Sequence, residues 1–498
     1  MLFNSYMFIF VFIPLTLLLT GMARRFVGLR AASGVLVAAS LFFYAYHDIR
    51  LLGLIGGSII ANYILTDFIR KAEGRKRYWL TFMGVALNLA LLAYFKYTNF
   101  FFDNVEALTG ANFNLAKIAL PIGISFFTFQ QVAYCTDTYS GKIKERGFLS
   151  YALFVAFFPQ LIAGPIVHHG QVIKQYSADS FARINWENIL IGTAIFGLGL
   201  FSKKIIADSF AGYATPFFVA VDNDTVISFV DSWKASLSYT FQIYFDFAGY
   251  STMAVGLGRM FGVKLPINFF SPYKSVNITD FWRRWHITLS TFLRDYLYIP
   301  LGGNRKGKLR RYVNLAATMV LGGLWHGANW NFVIWGSLHG IYLVINHGWQ
   351  GLTKRNPIAR AIKNLPGFTV LAWLITFLAV VIAWVGFRAM TLQGNLSMLG
   401  SMFGAQGLGA FKADIIATDI KLWIFMAIGF LITLGMPNMA QIFSKVRATY
   451  EEVEPAKAFG LIKIVYSPTL LWTIIMAAIA GVAVFYLSPT TEFLYWAF

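Results

Sequence analysis

Cysteine is almost missing: Cys135 is the single one in the chain. No internal disulfide and no multi-cysteine metal site can therefore form. Charge is scarce as well. Only 13% of the 498 residues are Asp, Glu, Lys or Arg, against about 25% in a soluble domain. Acidic residues are the scarcer sign, 22 against 41 basic, for a net charge of +19. The alternating pattern of an outer-membrane barrel is absent. So are a solenoid-length repeat, an inverted repeat and a low-complexity linker. There is no Walker motif, no Gly-x-Ser-x-Gly elbow and no defensible serine triad. The N-terminus has neither a basic n-region nor a nearby small-residue cleavage site, so Phe3 to Gly21 reads as a retained first span.

What is present is apolar. Hydrophobic residues make up 57%, and mean hydropathy is +0.61. Runs long enough for roughly 30 Å of hydrocarbon recur along nearly the whole length. They predict an all-α, polytopic membrane protein of about eleven transmembrane helices plus re-entrant or interfacial helices, with no soluble domain. Alternate counting of spans puts Arg24/Arg25/Arg30, Arg70 to Arg77 and Lys142/Lys144/Arg146 on one side. That side is the cytoplasm by the positive-inside rule, and this explains the basic excess better than nucleic acid does. Early spans are expected at Ala31–Tyr46, Leu51–Ile69, Tyr78–Tyr94 and Leu120–Tyr139, with an external loop over Asn99–Asn114. Tyr151–Ile166 is short, holds Pro159 and Pro165, and could be re-entrant. Later spans are expected at Glu187–Ala207, Ser232–Phe261, Gly367–Phe387, Leu422–Leu434 and Ile462–Leu487. Tyr312–His347 is apolar but interrupted by glycines and histidines. Cys135 lies in an apolar helix-like run, where packing is its expected role.

Chemistry gathers in two aromatic-rich stretches 40 residues apart. One closes Asp280-Phe281-Trp282-Arg283-Arg284-Trp285-His286, and the other is Leu324-Trp325-His326-Gly327-Ala328-Asn329-Trp330. Ionisable side chains in a membrane are costly, and histidine moves protons near neutral pH. Asn277–Tyr298 reads as one amphipathic helix with Trp282, Trp285, Leu289, Phe292 or Leu293, and Tyr296 on one face. Asn277 and Asp280 form a candidate capping pair. No carboxylate stands four residues before His286, so its orienting partner must come from elsewhere in the fold. The plain alternative for His286 is an interfacial histidine; for His326 it is a packed core histidine. Around His326, glycines permit close helix approach, and Asn329 and Asn331 need partners or a wet cavity. Arg283, Arg284 and Arg305 belong to a basic stretch. They suit either a positive-inside loop or the phosphates of a cytoplasmic donor. Asp246, in an apolar span, is a functional candidate or a bridge between helices. His168, His169, His339 and His347 are read as structural. Without His-x-x-x-His or a nearby carboxylate, zinc is not expected.

At these residues the chain resembles the membrane-bound O-acyltransferase family, in its bacterial branch of alginate O-acetyltransferase membrane-subunit type. Leu120–Phe129 (LPIGISFFTF), Phe158–Pro165 (FPQLIAGP), Tyr244–Ser251, Phe281–Asn304 and Trp325-His326-Gly327 carry the likeness. The resemblance implies a ring-like helical fold, thinned at the centre around a tunnel, with His326 catalytic and His286 the second functional histidine. Trp285, Trp325, Asn329 and Asp246 are the expected tunnel or supporting residues. Thr252 stands where an acid is expected in alginate-type relatives, which bears on the acceptor and not on the chemistry.

The resulting expectation is one integral membrane domain over 1–498: N-terminal spans 1–119, catalytic core 120–349 and C-terminal spans 350–498. Acetyl from cytoplasmic acetyl-CoA, its phosphates near Arg283, Arg284 or Arg305, would cross a bacterial inner membrane to O-acetylate an exported polysaccharide. Alginate-type acceptors come first, with cellulose or peptidoglycan as alternatives. No cofactor is bound permanently and no metal is required. A periplasmic Ser-His-Asp-type transferase, the export machinery and membrane lipid are the expected partners. The rivals are a proton-coupled transporter or flippase, using the histidines and Asp246 as a relay, and a lipid acyltransferase.

Overall fold

Apolar residues at helical spacing, with few breakers, give a chain built almost wholly of helices. The computed structural model describes residues 1–113, 115–143, 147–407, 419–487 and Leu494; Asn114, Lys144 and Arg146 lie outside the described residues. A π-turn over Phe8–Phe12 leads into α1 (Ile13–Phe26), then α2 (Leu29–Ala45), α3 (Arg50–Lys71) and α4 (Gly74–Thr109). Next come α5 (Ile124–Tyr139), α6 (Phe148–Ala156), α7 (Phe158–Leu161) and α8 (His169–Tyr176). After these, α9 (Trp186–Phe201) passes through a π-turn, Ser202–Ala207, into α10 (Asp208–Asp222), and α11 follows (Phe229–Met260). The centre of the chain holds α12 (Ile278–Arg284), α13 (Ile287–Leu293), α14 (Lys308–His326), α15 (Trp330–Arg355) and α16 (Pro357–Lys363). Last are α17 (Phe368–Arg388), α18 (Leu392–Met402), α19 (Ile420–Phe430), α20 (Met439–Ile442) and α21 (Leu470–Phe485). Among the described residues the strands are one antiparallel pair, Lys457–Ala458 with Ile462–Lys463.

Among the described residues five helices are long and apolar enough to cross a membrane: Phe8–Phe26, Arg50–Lys71, Gly74–Thr109, Trp186–Asp222 and Phe368–Arg388. Shorter apolar helices span Leu29–Ala45, Ile420–Gly435 and Leu470–Phe485. Leu15, Leu18 and Leu19 on α1, Trp79 and Phe82 on α4, and Leu371 and Leu374 on α17 face outward. Lipid is the solvent that accepts such a surface.

Small residues bring the inner helices together. A Cβ on Gly199 would sit 2.6 Å from the carbonyl oxygen of Gly249, and one on Gly192 would sit 2.6 Å from that of Gly256. The reciprocal additions clash as well, so α9 and α11 cross backbone to backbone at two levels seven residues apart. The α14–α15 hairpin is closed the same way, with a Cβ on Gly336 2.4 Å from the carbonyl of Met319.

Four expectations need correction. The external loop starts later than Asn99, because α4 continues to Thr109. The expected Glu187–Ala207 span does not end there; the π-turn carries it into α10. Helix within Ile462–Leu487 is confined to Leu470–Phe485, with a strand pair and turn before it. Asn277–Tyr298 is not one helix but α12, a break at Trp285–His286, α13 and a π-turn over Arg294–Tyr298. The break has a tertiary cause. Phe270 N–H donates to the Arg284 carbonyl (2.9 Å), and Ile287 N–H donates to the Asn268 carbonyl (2.9 Å). The extended segment before α12 thus takes the backbone groups a continuous helix would have used. The expected cap at Asn277 is present, its side chain accepting from Asp280 N–H at 2.9 Å. Tyr151–Val167 is broken between α6, α7 and the turn after them yet buried throughout, the condition under which broken backbone is tolerated at membrane depth.

Candidate functional site

His286 occupies the break between α12 and α13 with φ +43°, ψ +53°. This left-handed conformation costs a non-glycine residue on the order of 1–3 kcal/mol and persists only where the surroundings enforce it. Here the backbone pairing on both sides enforces it. His326 is the last residue of α14. The two imidazoles are buried, with ring centroids 6.4 Å apart. Aromatic rings wall them in: His326 lies 4.9 Å from Trp325, 5.2 Å from Trp335 and 5.0 Å from Phe387, and Phe247 is 4.8 Å from His286.

The orienting partner of His286 is Asn268. His286 Nδ1 is 3.1 Å from Asn268 Oδ1, and Thr288 Oγ1 donates to the same oxygen at 2.9 Å. Thr288 Oγ1 in turn accepts from Ile166 N–H at 3.0 Å. An oxygen that accepts from Thr288 also accepts from His286, so Nδ1 carries the proton and Nε2 is the ring's proton acceptor. The sequence reading missed Asn268; it lies in an extended stretch with no periodicity to mark it.

One cavity reaches His326, and another reaches Asn268. One, of about 50 Å³, is lined by Lys96, Ser125, Ile162, Trp325 and His326. Another, of about 250 Å³ and mostly apolar, is lined by Tyr244, Thr252, Phe269 and Asn268, the residue that holds His286. The smaller is several times what one water needs.

The family's sequence model, described as MBOAT, membrane-bound O-acyltransferase family, matches residues 41–387. The chain belongs to the membrane-bound O-acyltransferase family. Among this O-acyltransferase's relatives is the peptidoglycan O-acetyltransferase of Helicobacter pylori, 44% identical over 441 residues, which cover 82% of this chain and 81% of the relative. The protein named "Probable alginate O-acetylase AlgI" of Pseudomonas putida is 42% identical over 411 residues, 81% and 80%. The teichoic acid D-alanyltransferase of Streptococcus thermophilus is 31% identical over 286 residues, 53% and 68%. An O-acyltransferase in a multi-pass membrane setting is thereby established.

The other expected residues of the O-acyltransferase fall in different places. Trp285 and Trp325 are buried; Trp325 stacks on Phe129 at 4.9 Å, and Trp285 packs 4.8 Å from Trp384. Asp246 is buried in an ion pair with Lys203 (2.7 Å), and Lys203 also reaches Asp208 (2.8 Å). Asn329 caps α15, accepting from Asn331 N–H, and donates to the Met390 carbonyl. Arg283 and Arg305 are exposed, and Arg284 pairs with Asp280 at 3.0 Å. His168 and His169 gather with Asp137 and Tyr296. His339 accepts from Trp282 Nε1–H at 3.3 Å. Among the described residues no set of three His, Cys, Asp or Glu side chains could hold a metal ion.

Proposed function

We propose that the chain passes acetyl from cytoplasmic acetyl-CoA across a bacterial inner membrane for O-acetylation of an exported polysaccharide. Acetyl-CoA is a substrate here, and no bound cofactor is invoked. The observation that carries the reading is the buried His286–His326 pair, 6.4 Å apart, with one cavity lined by His326 and another lined by Asn268, the residue that holds His286. The exposed Arg283 and Arg305, with Arg284 next to Arg283 in α12, are assigned to the donor's phosphates, which Arg binds bidentately.

His326 accepts the proton of the acceptor hydroxyl while that oxygen attacks the thioester carbonyl. The C–O bond forms, the C–S bond breaks, and coenzyme A leaves as the thiol once a proton reaches its sulfur. His286 is assigned to relay that proton through Nε2. A second route places the acetyl group on His326 itself before the hydroxyl takes it; label trapped on His326 distinguishes the two. The tryptophan wall keeps bulk water from hydrolysing the thioester. The final acceptor beyond the membrane is an alginate-type polysaccharide, with peptidoglycan or cellulose as alternatives. The hydroxyl that takes acetyl from this chain belongs to a periplasmic Ser-His-Asp-type transferase, which passes the acetyl on to a polysaccharide hydroxyl beside the export machinery and regains its own proton.

Membranes carrying the chain and its native partner genes test this with labelled acetyl-CoA. Label is expected on exported polysaccharide with the wild type and not with His326→Ala. Equal labelling by both proteins overturns the assignment of His326. Transfer from long-chain acyl-CoA onto lipid, or pH-driven substrate movement without acetyl-CoA consumption, overturns the reading itself.

A further inference from the structure

A helix leaves its last four carbonyls without intrahelical partners. In α14 the helix's own ladder ends at the Gly323 carbonyl, which leaves those of Leu324, Trp325 and His326 to find partners. Gly327 N–H reaches the Gly323 carbonyl at 3.4 Å. The other three are taken by two consecutive residues of α4, more than 220 positions earlier in the chain. Tyr97 Oη donates to the Leu324 carbonyl at 3.0 Å. Lys96 Nζ donates to the Trp325 carbonyl and, at 3.1 Å, to the His326 carbonyl. Ser125 Oγ lies at 3.5 Å from the same ammonium, which also sits 5.7 Å from the Trp325 ring.

Lys96 is 7% exposed. A lysine buried in an apolar helix is expensive unless its three donors and its charge are all met. Three oxygens meet the donors, and the negative end of the α14 dipole meets the charge. The placement is also consistent along the helix axes. Lys96 lies 22 residues past Gly74 and His326 lies 18 past Lys308, about 33 and 27 Å at 1.5 Å per residue.

We infer that Lys96 and Tyr97 are positioning residues: they clamp the terminal turn of α14 and so fix the backbone from which His326 reaches the cavity. This rests on the acyl-transfer reading only for its kinetic test. A misplacement of about 1 Å costs on the order of 100-fold in rate, and uncapped helix ends fray.

The full chain in membranes is compared with Lys96→Met, Lys96→Gln and Tyr97→Phe. Turnover with acetyl-CoA is expected to fall about 100-fold in Lys96→Met and less in Tyr97→Phe, with the donor KM unchanged. In parallel, each protein is treated with diethylpyrocarbonate, and carbethoxylation of His326 is followed by mass spectrometry. Its rate is expected to change several-fold when the clamp is cut. Wild-type turnover and an unchanged His326 modification rate in the Lys96 variants overturn the inference, as does a loss confined to KM. If Lys96→Met does not accumulate, Lys96→Gln and Tyr97→Phe carry the same comparison. If the wild type transfers no acetyl at all, the donor assignment falls, and the carbethoxylation rates alone decide the clamp.

Discussion

Asn268 shows how much one uncharged side chain can govern. Its Oδ1 gathers His286 Nδ1, Thr288 Oγ1 and, at 3.4 Å, Thr288 N–H. Removing that oxygen strands buried donors, each worth about 1–3 kcal/mol when unmet. Asn268→Ala is therefore expected to lower the thermal midpoint in detergent and to cut acetyl transfer, because the His286 tautomer is no longer imposed. Unchanged transfer with the protein intact would remove His286 from the proton path. At this scale the sequence was only partly legible. His286 and His326 announced themselves as ionisable groups in aromatic, apolar surroundings. Lys96 satisfies the same criterion, and the rule that singled out Asp246 could have found it. What no sequence pattern gives is that the partners of His326's helix end come from α4.

Elements behave less simply than periodicity suggests. The 3.6-residue pattern over Asn277–Tyr298 was sound as far as Arg284, but pattern does not register a competing backbone partner. The Asn268–Phe270 segment supplies one and breaks the helix at His286. The π-turn at Ser202–Ala207 carries Lys203 and Lys204 into a buried network, Lys203 with Asp246 and Lys204 with Asp208 at 2.7 Å. This favours the bridging reading of Asp246, tying α11 to the α9–α10 rod. Breaking one partner of a buried pair costs about 3–5 kcal/mol, whereas replacing both with apolar groups is often neutral. Asp246→Ala is accordingly expected to lose most folded protein in a detergent-solubilised fluorescence profile. Asp246→Leu with Lys203→Met is expected to recover accumulation and acetyl transfer. A stable double variant without transfer would instead place Asp246 in the chemistry, as a proton relay requires.

Across the whole molecule, sidedness is the property on which donor and acceptor both depend. Two helices that touch His326's end, α4 and α14, begin in basic clusters, Arg75-Lys76-Arg77 and Lys308 with Arg310 and Arg311. Both run from there to the Lys96–His326 contact, and the prediction is that the basic ends share one face while the small cavity lies toward the other. By the positive-inside rule the basic face is expected to be cytoplasmic, and the proposed function then requires Arg283, Arg284 and Arg305 on the donor's side and His326 toward the acceptor's. The chain offers a direct check, since its single cysteine is buried. Lys306→Cys and Ala111→Cys introduce one exposed thiol each at opposite ends of this arrangement. An impermeant maleimide added to intact spheroplasts is expected to label Cys at 111 and to reach Cys at 306 only after permeabilisation. Labelling of both from outside, or of 306 alone, would invert or abolish the polarity. The histidine pair would then face the donor's compartment, and transfer across the membrane would have no acceptor on its far side.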